Sequence, residues 1–223
     1  SAPKFERIGN VNVYRVGFGW RAGDNAFLSR FKIYKYFFPF FAFRKALSLQ
    51  RKNHYDATWA VMANYAGFGA LFFKLCKPKI PFILNLQEGD PTDYIKKRVG
   101  LMYPIFKMIF TKADRIQTLS HFLADWAKEM GATAPTVVIP NGADLGRFTV
   151  TDSRFRNEEK EKKRAELGFG EEDTILVTTS RLVEKNAVGD VIEALTFLPE
   201  TVKFLVIGTG ALGSDLKLKT KNL

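Results

Sequence analysis

The chain has 223 residues, of which 46% are hydrophobic and 14% aromatic, so it can form one large or two small domains and is too apolar to be disordered. Its net charge of +11 is concentrated in the first part of the chain. Residues 1–150 carry 22 Lys and Arg against 10 Asp and Glu, whereas residues 151–223 carry 12 against 13. This asymmetry predicts two domains with different partners.

The single cysteine, Cys76, excludes a disulfide scaffold and favours a reducing compartment. We therefore expect a cytoplasmic protein in which this thiol is buried. The charge-free segment 57–73 is long enough for a short membrane helix. Because Asn64, Gly67 and Gly69 interrupt it, we interpret it as a strand, a turn and a helix.

Apolar runs in residues 1–150 predict an α/β domain whose parallel sheet is covered on both faces, because two of its strands show no polar alternation. The predicted strands are 11–16, Thr58–Asn64, Pro81–Leu86, Ala113–Ser120 and Val137–Pro140. The predicted helices are Phe31–Arg51 with a break near Pro39, Gly69–Lys77, Tyr94–Lys112 with a break at Pro104, and Ser120–Met130 with Ser120 as its N-cap.

The second part of the chain is smaller. Residues 151–173 are rich in charges and predict a linker with one exposed helix that ends at Gly168. A second βαβ unit follows, with strands Ile175–Thr179 and Val202–Ile207 and a helix at Val188–Leu198. Two strands and one helix can hardly cover a sheet on both faces, so this unit is expected to be incomplete and its open edge favours a homo-oligomer.

Charged side chains follow the predicted strand Ile175–Thr179, where open α/β sheets bind their ligands. Arg181 and Lys185 lie between this strand and the next helix, and two cations at such a position suit a phosphate or diphosphate. A structural interpretation remains open, in which Arg181 pairs with Glu184 or Asp190.

Three segments together carry a resemblance to a known family. They are ILVTTSRLVEKN (Ile175 to Asn186), VVIPNGADLGRF (Val137 to Phe148) and FLVIGTG (Phe204 to Gly210). Together they resemble the retaining, nucleotide-sugar-dependent glycosyltransferases of the GT-B fold, of the family 4 type. The resemblance implies a Rossmann-like, acceptor-side domain at 1–150, and a linker with a partial Rossmann-like domain for the nucleotide sugar at 151–223.

The resemblance also implies a donor site in a cleft between the domains. Arg181 would steady the departing diphosphate, and either Lys185 takes the role of the family's lysine or Asn186, at that lysine's own position, donates a neutral hydrogen bond. Gly208 and Gly210 would border the nucleotide, although a tight turn explains them equally well. In the "PNG-x-D" segment, Asn141 and Gly142 form a turn signal and would lie at the interdomain cleft.

The loop after Pro81–Leu86 holds the proposed catalytic residues, Gln87 and Asp90. Related enzymes often carry a histidine at the position of Gln87, which cannot exchange protons near neutral pH. A histidine-mediated step is therefore not supported. Asp90 would orient a donor or acceptor hydroxyl, or it caps the following helix, which Pro91 is suited to begin.

The stretch Arg30–Lys52 mixes Lys and Arg with Phe and Tyr, as an interfacial membrane helix does. Its cations Lys32, Lys35, Arg44 and Lys45 would meet an anionic membrane or an acceptor. Alternatively, the aromatic side chains pack on the sheet and the cations are solvated. Nucleic-acid binding is disfavoured, because the familiar motifs are missing.

The resemblance implies a glycosyltransferase that moves a sugar, with retention, from a UDP- or GDP-linked donor to a sugar or lipid-linked acceptor. No metal or other cofactor is expected, and the protein is expected in the cytoplasm or at the inner face of the membrane. The family's opening Gly-rich loop and its paired glutamates are not found, so we expect a fragment with little activity of its own. The alternative is a non-enzymatic module that binds membranes or a partner through its basic half.

Overall fold

The computed structural model describes residues 2–17, 34–147 and 153–220. It divides the chain into two compact units, Ser1–Ala143 and Asp144–Leu223, called unit 1 and unit 2 below. The strands are β1 (Phe5–Ile8), β2 (Val11–Tyr14), β3 (Thr58–Val61), β4 (Phe82–Leu86), β5 (Arg115–Thr118), β6 (Thr136–Val138), β7 (Thr174–Thr179) and β8 (Val202–Ile207). The α-helices are α1 (Tyr34–Asn53), α2 (Tyr65–Cys76), α3 (Thr92–Val99), α4 (Tyr103–Thr111), α5 (His121–Glu129), α6 (Ser153–Glu166), α7 (Val188–Ala194) and α8 (Gly213–Lys219).

Unit 1 begins with a two-stranded antiparallel ribbon. The predicted strand at 11–16 is confirmed as β2, and it pairs with β1 in the register Phe5↔Tyr14 to Ile8↔Val11. Gly9 lies in the turn with φ of +57°, a backbone conformation that favours glycine. The ribbon forms a sheet of its own, separate from the parallel sheet.

The main sheet of unit 1 is parallel, with strand order β3-β4-β5-β6. Each strand lies beside the next one in sequence, and right-handed crossovers between such neighbours place their helices on the same face. The core on that face joins Leu84 and Leu86 of β4 to Phe106 and Phe110 of α4 and Trp126 of α5. The predicted parallel α/β fold is confirmed.

Within the described residues the other face of this sheet is only partly covered, so these residues do not provide the expected cover on both sides. Trp59 of β3 is 60% exposed, and Val61 of β3 and Val137 of β6 are exposed too. Their apolar character made β3 look buried, but within the described parts of the chain only the helix-bearing face contributes the main core. The predicted strand Thr58–Asn64 is also shorter, since Met62 adopts φ of +71° and Asn64 becomes the N-cap of α2.

Neither predicted helix break lies at the proline where it was expected. Helix α1 continues through Pro39, where α2 packs closely because Gly69 has no side chain: a Cβ there would lie 3.4 Å from the Pro39 carbonyl oxygen and from Ala42 Cβ. In the segment 94–112 the break falls at Gly100, with φ of +54°, and Pro104 lies in the first turn of α4. The N-cap role of Ser120 is confirmed, because its Oγ accepts a hydrogen bond from Leu123 N.

Unit 2 contains a parallel pair of strands, β7 and β8, with the register Thr174↔Val202 to Thr179↔Ile207. The predicted second βαβ unit is therefore confirmed, and Gly168, with φ of +76°, follows the end of α6. Its small core consists of Leu182, Val188, Ile192 and Leu216.

Two further observations concern the surface. Cys76 is exposed, so the expectation of a buried thiol is wrong. Among the helices that the structure describes, none is long and apolar enough to span a bilayer.

Candidate functional site

The loop after β4 carries a cluster of polar side chains at the carboxyl edge of the main sheet. Gln87 and Asp90 are both half-buried there. Helix α3 has Pro91 as its N-cap residue and no side-chain capping bond, so Asp90 is not its N-cap. The loop lies where the predicted catalytic residues were expected, at the end of a parallel strand.

Glu88, which the sequence analysis did not single out, holds this edge together. Its carboxylate accepts hydrogen bonds from Ala63 N (2.5 Å), in the turn after β3, and from Gln87 N (3.0 Å). Burial raises the pKa of Glu88, and these backbone hydrogen bonds oppose that rise only in part. An acidic residue directly after a buried strand was the only signal in the sequence, since Ala63 is 25 residues away.

Beside this loop lies a cavity of about 210 Å³, called the unit 1 cavity below. Aromatic and aliphatic side chains of α1, α2, α3 and α4 form most of its wall, and Glu88 and Asp90 lie at its polar edge. Arg98 also lines it, and Arg98 Nη2 donates a hydrogen bond to Tyr65 Oη (3.2 Å). Gln87 is not among its lining residues.

The turn after β8 requires its glycines for a structural reason. A Cβ on Gly208 would lie 1.9 Å from the Ser180 carbonyl oxygen, and one on Gly210 would lie 2.2 Å from the Leu182 carbonyl oxygen. The two segments are joined by hydrogen bonds from Ser180 N to Ile207 O (3.1 Å) and from Leu182 N to Thr209 O (3.0 Å). No side chain larger than hydrogen fits at either position without a backbone shift.

The same turn borders a cavity of about 420 Å³ in unit 2. Gly208, Thr209 and Gly210 line it together with Ser214 and Lys217 of α8. The structure thus brings the two predicted glycines to a cavity at the carboxyl end of β8. Thr209, Ser214 and Lys217 were not predicted, and Lys217 had no sequence signal beyond its place in a helix after the turn.

Arg181 lies between Ser180, which bonds to the end of β8, and Leu182, which bonds to the turn after β8, and its side chain is exposed. Within the described ranges, its guanidinium forms no ion pair with a carboxylate, which removes the alternative pairing with Glu184 or Asp190. The Arg181 carbonyl oxygen accepts a hydrogen bond from Asn186 Nδ2 (2.7 Å). Lys185 is exposed in a 3₁₀ turn, Glu184–Asn186, and none of the three predicted phosphate ligands lines the unit 2 cavity.

The residue after this turn is strained. Ala187 has φ of 52° and ψ of 27°, in the left-handed region that glycine occupies at least cost. Glycine would adopt this conformation without the steric cost that the alanine methyl group brings.

Asn141 and Gly142 lie on the exposed stretch after β6, before a 3₁₀ turn at Leu145–Arg147. A Cβ on Gly142 would meet no atom within 4 Å, so no close approach requires glycine there. Asp144 Oδ1 accepts a hydrogen bond from Gly146 N (3.2 Å), which is typical of a turn.

In the basic and aromatic stretch, some side chains pack against other residues and others are exposed. Lys45 lies over the ring of Tyr14 (4.2 Å) and Arg44 over the ring of Phe40 (5.7 Å). Phe37 is 52% exposed and Phe40 is 50% exposed, so the aromatic side chains do not all pack on the protein. Lys35 is half-buried, and Lys32 lies outside the described residues.

In the parts of the chain that the structure describes, no three His, Cys, Asp or Glu side chains lie close enough together to hold a metal ion.

Residues 12–147 match the model of Glycosyltransferase Family 4, and the chain belongs to this family. It is 28% identical over 141 residues to TuaC of Bacillus subtilis (strain 168), whose assigned name is a teichuronic acid biosynthesis glycosyltransferase. That match covers 63% of this chain and 34% of TuaC.

Solved structures support the fold. Anabaena HepE in complex with UDP aligns with a TM-score of 0.64 at 18% identity, over 79% of this chain and 48% of HepE. HepE with UDP-glucose aligns with a TM-score of 0.63 at 19% identity, over 80% and 48%. The fold is therefore that of GT-B glycosyltransferases, and the chain spans about a third of the curated relative and about half of these structures.

Proposed function

We propose that the protein transfers a sugar from a UDP- or GDP-linked donor to an acceptor, with retention of configuration and without an obligatory metal. Membership of Glycosyltransferase Family 4 supports the reaction class. HepE, which shares the fold, binds UDP and UDP-glucose, and this supports a nucleotide sugar as the donor. The acceptor is a sugar or a lipid-linked molecule.

The observation that carries the donor site is the position of Arg181. Ser180 N donates to Ile207 O at the end of β8 and Leu182 N donates to Thr209 O in the turn after it, so the guanidinium follows a strand whose end is fixed by backbone contacts. Because no carboxylate of the described residues neutralises it, its charge remains available to a phosphate. Lys185 adds a second cation in the next turn, and Asn186 keeps this loop closed through the Arg181 carbonyl.

The proposed chemistry follows from the charge that develops on the leaving group. As the bond between the sugar and the diphosphate breaks, negative charge grows on the diphosphate, and a fixed cation stabilises that state more than a neutral donor does. In unit 1, Gln87 and Asp90 are proposed to contact hydroxyls of the reacting sugar. Glu88 positions both by holding the backbone of this loop against the turn after β3.

Titration calorimetry with UDP and GDP tests the donor site. We expect one of them to bind saturably and Arg181→Ala to weaken it by about tenfold or more, the typical cost of a lost charge-assisted hydrogen bond. Arg115→Ala is the matched control, because Arg115 is an exposed arginine on β5 in unit 1. Equal affinity in the wild type and Arg181→Ala would remove Arg181 from the site.

A second candidate function is membrane binding through α1. The exposed Phe37 and Phe40 beside Arg44 favour it, since apolar rings and cations on one helix suit an anionic bilayer. It would place the protein at the inner face of the membrane.

Sedimentation with phosphatidylglycerol vesicles tests this surface. Charge reversal at Lys35, Arg44 and Lys45 should abolish binding, whereas the same change at Lys160 and Lys162 of the exposed helix α6 should not. Vesicle binding that survives the first set of substitutions would contradict the assignment to α1.

A further inference from the structure

We propose that the unit 1 cavity binds the hydrocarbon part of an uncharged, hydroxyl-bearing amphiphile, and that this molecule is the acceptor of the transfer. The identification of this molecule as the acceptor rests on the proposed function. The binding site itself rests only on the shape and chemistry of the cavity.

The wall of the cavity is suited to hydrocarbon. Rings of Phe68, Phe72 and Phe106 and the side chains of Ile95 and Val99 form much of it, and its volume is about 210 Å³. A free sugar placed among these groups would leave several hydroxyls without hydrogen-bond partners, which is unfavourable. An alkyl chain loses only its contact with water there, which is favourable.

The polar edge of the cavity argues against an anionic head group. Two carboxyl groups, Glu88 and Asp90, lie at this edge. Arg98, the lining cation, donates to Tyr65 Oη and lies 5.8 Å from the centre of that ring, so its charge is already directed toward Tyr65. A phosphate beside two carboxyls meets like charge, whereas a hydroxyl can donate a hydrogen bond to either of them.

The position of the polar edge is what links binding to chemistry. Glu88 and Asp90 lie in the loop that follows β4, at the carboxyl end of the parallel sheet. A chain lying between α1, α2 and α3 therefore leaves its hydroxyl-bearing end beside the loop that holds the proposed catalytic residues. This arrangement presents a hydroxyl, which is the group that a glycosyl transfer consumes.

Three probes separate the parts of the proposal: n-octyl β-D-glucoside below its micelle-forming concentration, octyl phosphate and glucose. We expect titration by protein-observed NMR to give saturable binding of octyl glucoside, with glucose and octyl phosphate each weaker by about tenfold or more. No saturable binding of octyl glucoside would overturn the site. Octyl phosphate binding as tightly as octyl glucoside would overturn the uncharged head group.

Matched variants assign the binding to this cavity. Met102→Trp narrows it, because Met102 lines the cavity, whereas Leu101→Trp alters a neighbouring, fully exposed side chain. We expect octyl glucoside to bind about tenfold or more weakly to Met102→Trp and unchanged to Leu101→Trp. Val99→Phe is a second narrowing variant should Met102→Trp fail to fold. Unchanged binding in a folded narrowing variant would contradict the assignment.

A substitution at Asp90 tests the effect of charge at the polar edge of the cavity. Asp90→Asn removes one carboxyl from the polar edge, so we expect the affinity for octyl phosphate to rise several-fold while octyl glucoside changes little. A titration of UDP and GDP with Met102→Trp separates this proposal from the donor site. Loss of alkyl binding with nucleotide binding retained places the two ligands at different sites, and nucleotide binding without any alkyl binding overturns only the cavity proposal.

Discussion

The two units obtain their order from different interactions. In unit 1, Phe82, Leu84 and Leu86 of β4 are fully buried against the aromatic side chains of α4 and α5. In unit 2 no residue of β7 or β8 is fully buried. Its strands are instead joined to the turn at 208–210 by a close approach of backbone to backbone.

This difference predicts which substitutions each unit tolerates. Side-chain packing in unit 1 is distributed over many residues, whereas the close backbone approach in unit 2 requires glycine at two positions. All three tryptophans precede residue 144, so tryptophan fluorescence reports on unit 1 alone. Amide hydrogen exchange in β7 and β8 reports on unit 2.

The largest effect is expected from Gly208→Ala. The new methyl group would lie 1.9 Å from the Ser180 carbonyl oxygen, and because that oxygen belongs to the backbone and Cβ is held rigidly on its own backbone, the two segments must move apart. We expect the free energy of unfolding of unit 2 to fall by about 3 kcal/mol or more. Hydrogen exchange should show that β7 and β8 lose protection.

Gly142→Ala is the matched control, since its methyl group would meet no atom within 4 Å. It should leave the protection of β7 and β8 unchanged. Retained protection in Gly208→Ala would show that the unit 2 strands are not fixed by this close approach, and the comparison between the units would fail.

A smaller effect concerns two carboxyl groups of unit 1 whose pKa values are shifted in opposite directions. Burial raises the pKa of Glu88 above its ordinary value of 4.5, so the folded state binds the proton more tightly than the unfolded chain. The difference in stability between the wild type and Glu88→Gln should therefore fall as pH rises from below 4.5 through the raised pKa. Unfolding followed by tryptophan fluorescence at several pH values measures it.

Asp114 provides the contrast. Burial alone would raise its pKa, but hydrogen bonds from Lys74 and from Phe82 N, with the charges of Lys74 and Arg115, lower it below 3.8. The stability that Asp114 contributes is present above pH 3.8 and is lost as pH falls through the lowered pKa. Parallel pH profiles for Glu88→Gln and Asp114→Asn would show that Glu88 is not governed by burial.

Local patterns made much of the fold predictable. Short apolar runs identified β4 and β8, and Ser120 was recognisable as an N-cap because its role depends on a residue only three positions away. The residues 11–14 were correctly assigned to a strand, but their antiparallel partner at 5–8 was missed. The errors at Pro39 and β3 arose because burial and helix continuity there depend on distant neighbours.

The same distinction applies to the candidate sites. The positions of Arg181 and the two glycines after strand ends were predictable because strand, turn and helix follow one another within a few residues. Glu88 was missed because its partner Ala63 comes from another strand end, and the unit 1 cavity was missed because four helices form its wall. Sequence patterns indicate which loop lies at a sheet edge, but not which loops that edge brings together.

The smallest effect, expected from Ala187→Gly, bears on how well unit 2 is optimised. Ala187 occupies the left-handed region, and replacing it with glycine relieves that strain while making the unfolded chain more flexible. We expect the free energy of unfolding of unit 2 to rise by about 0.5 kcal/mol, measured by hydrogen exchange of β7 and β8. Ala165→Gly, in the exposed helix α6, should instead cost about 1 kcal/mol locally. If both substitutions destabilise the chain equally, the left-handed conformation of Ala187 is not a source of strain. The backbone of unit 2 would then tolerate alanine at this position without cost.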